Sequence, residues 1–289
     1  MARREVREMR RYVLTLSCPD RPGIVNAVTG ALLEIQANIL ESAQFGDLES
    51  HTFALRTVFE TEHDDQETVE PPLAAVSASL SGLLRLRAMD VRPRALVMVS
   101  KYDHCLLDLL HRQRYGELAI DIPLIVSNHS DCAELAGRYG VPYAHIPVTE
   151  ETKDDAETRL LALIGEHAID FVVLARYMQI LSPETCRALA GRAINIHHSF
   201  LPGFKGSRPY HKAHHRGVKL IGATAHYVTV DLDEGPIIEQ DVARVTHAHS
   251  PEDLVSIGRD VERMVLARAV RYHAEERVIL IGSKTVVFT

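Results

Sequence analysis

The sequence lacks the spacings that cross-link a small chain. Its four cysteines, Cys18, Cys105, Cys132 and Cys186, form no CxxC pair, which argues against both a disulfide framework and a cysteine-based zinc site. No run approaches the roughly 18 consecutive apolar residues that a membrane span requires. The opening stretch, MARREVREMRRY, is charged where a signal peptide would have its apolar core. Positive charge is not in excess either: 32 Lys+Arg face 39 Asp+Glu, a net charge of -7. No global basic field therefore draws the chain to nucleic acid. These absences predict a cytoplasmic protein that engages neither nucleic acid nor membrane.

What is present is the composition of a globular protein, with 46% apolar and 25% charged residues, which excludes general disorder. A length of 289 residues gives a prior of two domains, each large enough to bury a core. Tyr12 to Leu16 reads as a short strand, broken by Cys18-Pro19-Asp20-Arg21-Pro22-Gly23. Asp20 is placed to cap the helix that follows, with Pro22 tolerable in its first turn. Val25, Val28, Leu32 and Ile35 then form one apolar stripe. Asn38 to Phe45 and Thr52 to Phe59 are strands, Glu67 to Leu84 a helix, and Leu86 to Val91 a last strand. The order βαββαβ is the ferredoxin-like pattern.

After Arg92-Pro93 the rhythm changes. Ala95 to Val99, Ile122 to Val126 and Phe171 to Leu174 are continuous apolar runs, each followed by a helical pattern. Strands buried on both faces and separated by helices predict a Rossmann-like, mostly parallel sheet. The boundary falls near residues 91–94, giving domains at 1–92 and 93–289. Val278 to Ile281 and Thr285 to Phe288 read as a closing hairpin.

Chemistry gathers in the second domain. Six of the sixteen histidines, His197, His198, His211, His214, His215 and His226, fall within thirty residues. Asn195 and His197 share one face of an apolar strand near its carboxyl end, where ligands of parallel sheets bind. An amide and an imidazole there can both donate to an oxygen that gains charge. Surface histidines in a polar loop are the plainer account. His211-x-x-His214-His215 has helical ligand spacing, but no HExxH and no nearby cysteine accompanies it, so solvated histidines are expected and no metal. Asp231-Leu232-Asp233-Glu234-Gly235-Pro236 packs three carboxylates before a Gly-Pro turn. Desolvation and neighbouring charge can raise such a carboxyl's pKa toward neutrality, suiting it to proton transfer. An acidic turn facing water is the alternative.

Taken together, Asn195-Ile-His-His-Ser-Phe-Leu-Pro202, the strand bearing His226, and Asp233-Glu-Gly-Pro236 resemble the formyltransferase family that uses 10-formyltetrahydrofolate. The resemblance implies an active site of Asn195, His197 and Asp233. Val172 to Ser182 is similar to the strand and loop that hold the pterin in that family. This implies folate contacts from Met178, Gln179, Ile180 and Leu181, with His226 beside them; the family often has Arg where Gln179 stands. Cys18-Pro-Asp20-Arg21-Pro22-Gly23 resembles the start of an ACT domain, a ferredoxin-like module that often binds small amino acids. That implies an effector such as glycine or methionine near Asp20, Arg21 and Gly23, and a homo-oligomer, dimer or tetramer.

Members of the family that formylate glycinamide ribonucleotide cradle its phosphate in a glycine-rich loop after their first strand. Here the matching place, Val99-Ser-Lys-Tyr-Asp-His-Cys105, has no glycine. Bulky residues and an added carboxylate suit a phosphate poorly. The resemblance, extended by the loop from Ser199 to His211, therefore implies hydrolysis: 10-formyltetrahydrofolate and water give formate and tetrahydrofolate, with no cofactor. Asp233 would handle the water's proton, while Asn195 and His197 would stabilise the oxyanion. A transferase acting on an amine, a non-catalytic folate sensor and a purely structural oligomer are the alternatives.

Overall fold

The computed structural model describes residues 9–201, 203 and 209–289. The chain divides into two compact units, Met1–Arg92 with Glu275–Thr289, and Pro93–Ala274.

The first unit contains strand β1 (Arg10–Pro19), helix α1 (Ile24–Glu34), β2 (Asn38–Asp47), β3 (Thr52–Thr61), α2 (Gln66–Ser79) and β4 (Leu83–Ala88). The four strands form an antiparallel sheet in the order β2-β3-β1-β4, the ferredoxin-like arrangement that the alternation predicted. Its core joins Tyr12, Leu14 and Leu16 of β1 to Val28 and Leu32 of α1 and Leu73 of α2. Three expectations shift. α1 begins behind Gly23, whose φ of 93° makes it the cap, with no side-chain bond from Asp20. Val25 is 41% exposed, and the buried stripe runs through Ile24, Val28, Ala31, Leu32 and Ile35. The second helix stops at Ser79 and the last strand starts at Leu83, earlier than the periodicity predicted. Gly82 makes that turn possible: a Cβ there would lie 2.8 Å from the Leu16 side chain.

The second unit contains β5 (Arg94–Val99), α3 (His104–Arg114), β6 (Asp121–Ser127), α4 (Ala133–Tyr139), β7 (Tyr143–His145), α5 (Lys153–Glu166), β8 (Phe171–Leu174), α6 (Pro183–Ala188), β9 (Ala193–His197), α7 (Pro209–Arg216), β10 (Leu220–Tyr227), β11 (Ile237–Arg244) and α8 (Pro251–Ala274). The seven strands run in the order β11-β10-β9-β8-β5-β6-β7. β7, β6, β5, β8 and β9 pair in parallel, whereas β10 and β11 are antiparallel. Leu96, Met98, Val172 and Leu174 are among the strand residues buried in the core, as continuous apolar runs require.

The hairpin of β12 (Val278–Ile281) and β13 (Lys284–Val287) corrects the 93–289 boundary, because it packs with the first unit. Ile279 and Ile281 bury against Ala54 of β3. Arg56, 2% exposed, donates to the carbonyls of Glu275 and Glu276 at 3.1 Å each. All four cysteines are buried and free. No helix among the described residues is long and apolar enough to cross a membrane.

Candidate active site

A cavity of about 410 Å³ opens beyond the carboxyl ends of β8 and β9. Asn195 and His197, two apart on β9, point into it from one face. β10 runs antiparallel beside them, with Thr224 opposite His197 and His226 opposite Asn195. The four side chains therefore sit on adjacent pleats. The loop after β10 returns over this face and brings Asp233 down to it. Asp233 itself adopts a φ of 58°, a left-handed conformation that Asp tolerates better than most residues. Gly235 allows the loop to lie close, since a Cβ there would fall 1.7 Å from the Tyr227 carbonyl oxygen.

The polar bonds fix orientation. His226 Nδ1 lies 2.9 Å from the Tyr227 carbonyl, which can only accept, so Nδ1 donates. His226 Nε2 lies 3.3 Å from Asn195 Nδ2. His197 Nδ1 donates to Asp233 Oδ1 at 3.2 Å, and His226 Nε2 stands 3.8 Å from the same oxygen. His197 Nε2 is buried with no hydrogen-bond partner among the described residues. Burial alone would push the Asp233 carboxyl up. Hydrogen bonds and charge from His197 and His226 outweigh it and hold the group well below the usual carboxylate range. This corrects the expectation of a raised pKa: Asp233 is an ionised acceptor throughout the neutral range. His198 stacks on His197 with ring centroids 5.1 Å apart. Burial and the charge of Arg176 push its pKa down to about 3, so it stays neutral.

Met178, Gln179, Ile180 and Leu181 line the same cavity, on the loop between β8 and α6. That loop is anchored at both ends. Met178 N donates to Ser100 Oγ at 2.9 Å, and Ser182 N donates to Glu157 Oε1 at 2.9 Å. Ser100 Oγ in turn donates to Asn128 Oδ1 at 2.7 Å, fixing the glycine-free segment where it leaves β5. The buried Thr224 hydroxyl bonds the Ser199 carbonyl at 3.0 Å and accepts from Leu201 N at 3.1 Å, holding the chain just past His197. The rest of the Ser199–His211 loop, at 202 and 204–208, lies outside the described residues. His211, His214 and His215 are exposed on α7.

Sequence reasoning missed Arg176, which lines the cavity, and the buried cluster behind it. Tyr210 donates to Glu262 Oε1 at 2.6 Å and His104 Nε2 to Oε2 at 2.8 Å. His104, Cys105 and Glu262 bring three metal-ligating atoms within 4.8 Å of one another. Arg176 Nε stands 3.4 Å from Glu262 Oε2, and burial keeps the Cys105 thiol protonated. A cation would have to compete with a guanidinium already in place. These groups are scattered through the sequence, and their only local signal is an arginine after an apolar strand.

Residues 93–270 match the model described as Formyl transferase, and residues 12–78 match the ACT domain. The formyltetrahydrofolate deformylase of Corynebacterium sp. (strain P-1) is 47% identical over 97% of this chain and 99% of its own. The crystal structure of the deformylase from Burkholderia mallei ATCC 23344 superposes with a TM-score of 0.93 at 50% identity, covering 97% of this chain and all of that one. Glycinamide ribonucleotide transformylase 1 from Symbiobacterium toebii reaches 0.66 at 29% identity, covering 71% of this chain and 98% of its own. The chain belongs to the formyltetrahydrofolate deformylase family.

Proposed function

We infer that the protein hydrolyses 10-formyltetrahydrofolate to formate and tetrahydrofolate, and that Asn195, His197 and Asp233 carry the step. The observation that bears the reading is the His197–Asp233 pair at 3.2 Å, with Asn195 and His197 both lining the cavity and His197 Nε2 without a hydrogen-bond partner among the described residues.

Water addition to a formyl amide needs a held water, stabilisation of the tetrahedral oxyanion, and a proton for the departing N10. Asp233 holds the water as an ionised acceptor. Its carboxylate binds a proton weakly at rest, so transfer takes place only as the new O–C bond develops. Asn195 Nδ2 donates to the oxyanion, and His197, held by Asp233 through Nδ1, adds a second donation from Nε2 when the ring carries both protons, the extra one taken up from solvent and kept through the cycle. The C–N10 bond then breaks, the water-derived proton passes through Asp233 to N10, and the second proton leaves formic acid for solvent. Met178 to Leu181 hold the pterin through their backbone, with His226 orienting Asp233. Folate is substrate and carrier at once, and the side chains supply each requirement without a cofactor.

The ACT unit binds a small amino acid, with glycine and methionine as candidates, at the turn containing Asp20, Arg21 and Gly23. Its β2 edge is exposed along most of its length, Leu40 and Phe45 included, and an open edge of this kind favours pairing with a second copy. The decisive assay is release of free formate from 10-formyltetrahydrofolate with no amine acceptor present. Absence of formate would remove the hydrolytic reading.

A further inference from the structure

Arg176 is 10% exposed at its side chain and lines the cavity shared with Asn195, His197 and Asp233. Its Nε and Nη1 are buried without a hydrogen-bond partner among the described residues. Glu262 pairs with it in charge but does not complete it: the carboxylate bonds Tyr210 and His104, and Arg176 Nε stands 3.4 Å from Oε2 without a hydrogen bond. Tyr102 stacks its ring near the guanidinium, with the Arg176 Cζ 5.6 Å from the centroid. The arginine also sits at a φ of 65°, a backbone conformation that costs a bulky residue energy and that persists only where the surroundings enforce it. A buried guanidinium with open N–H groups is costly unless an acceptor completes it.

We propose that Arg176 forms a carboxylate subsite of this cavity and that it receives the formate released by the reaction. The proposal rests on the hydrolytic reading for its ligand. A planar carboxylate matches the guanidinium fork, and only the anionic product presents that group, because the formyl amide has a single oxygen. Arg176 therefore favours the product over the bound substrate's reacting group. Formate moves from the oxyanion donors on β9 to a cation in the same cavity, which leaves Asn195 and His197 free for the next water. The other carboxylates within reach of such a cavity are those of the folate's glutamyl tail, and the test separates the two.

Sodium formate labelled with ¹³C is titrated into the full-length protein without folate, and the formate inhibition constant is measured against 10-formyltetrahydrofolate. The expected result is saturable formate binding, weakened about tenfold or more in Arg176→Gln, the cost of a lost charge-assisted bidentate contact. Glu262→Gln keeps the arginine but removes the carboxylate that competes for it, and should tighten formate binding several-fold even if Arg176→Gln fails to fold. No formate binding by the wild type, or unchanged formate affinity in folded Arg176→Gln or Glu262→Gln, overturns the subsite. So does a rise in KM in Arg176→Gln that vanishes when the substrate lacks its glutamate, since the tail would then be the ligand. Formate binding at Arg176 with no formate produced from 10-formyltetrahydrofolate would sink the hydrolytic reading alone.

Discussion

Asp233 Oδ1 receives a hydrogen bond from His197 Nδ1 at 3.2 Å, from a loop that arrives after an intervening strand, β10. The carboxylate thereby fixes which imidazole nitrogen carries the bond, and leaves Nε2 as the one without a partner among the described residues.

Asp233→Asn keeps the shape of the side chain but loses both its charge and the ability to accept a proton at neutral pH. Formate release should fall about 100- to 10,000-fold, the usual range for removing a positioned acid–base group. Folate affinity, read by fluorescence or calorimetry, should stay within a few-fold. Near-normal turnover would take Asp233 out of the mechanism.

Gly235→Ala tests whether the loop's descent matters. Its Cβ would meet the Tyr227 carbonyl oxygen at 1.7 Å, a backbone clash that only movement of the loop relieves. The expected outcome is a stability loss of about 1–3 kcal/mol, together with a fall in kcat approaching that of Asp233→Asn. A variant with full activity and unchanged thermal midpoint would show that the loop tolerates displacement.

Acid should act on the same pair. The folded-state pKa of Asp233 lies below its ordinary value of 3.8, so folding favours the ionised form. The stability it contributes is complete above about pH 4 and is lost as pH falls through the lowered folded-state value. Asp233→Asn has no such contribution to lose. The gap in thermal midpoint between wild type and variant should therefore be widest near neutrality and narrow below about pH 4. A gap that stays constant down to pH 3 would mean that the His197 contact is energetically idle.

Glycinamide ribonucleotide should remain unformylated even at millimolar concentration. The segment after β5 offers bulk and pinned side chains where a phosphate would need approachable N–H groups. Tyr102 lies 5.6 Å below both the Arg176 and Arg259 guanidinium carbons, and Ser100 is engaged by Asn128 and Met178. Formylated product appearing in competition with formate would make the protein a transferase.

Much of this was legible because it is local. The βαββαβ alternation and the apolar runs at 95–99, 122–126 and 171–174 follow from neighbours a few positions apart, and so do two sheets. Asn195 and His197 share a face by strand alternation alone, and their resemblance to the formyltransferase family pointed to Asp233. The direction of the Asp233 pKa was not legible, because it depends on which histidines the fold brings to it. Arg176 and Glu262 stayed hidden for the same reason, with His104 and Glu262 meeting from 158 positions apart. The cap of α1 was not legible either: the helix starts behind Gly23 with no side-chain capping bond, and Asp20, three positions earlier, does not serve it.

The attachment of residues 275–289 to β3 makes the first unit discontinuous: the second is an insertion within it, entered at Pro93 and left after Ala274. A single proteolytic nick at the 92/93 seam cannot then yield two whole modules. The amino-terminal fragment would lose the carbonyls that satisfy Arg56, while the remainder would carry Ile279 and Ile281 stripped of their cover. Dissection of this protein into parts therefore calls for an excised core spanning 93–274 and a first module rejoined to its own hairpin by a short linker.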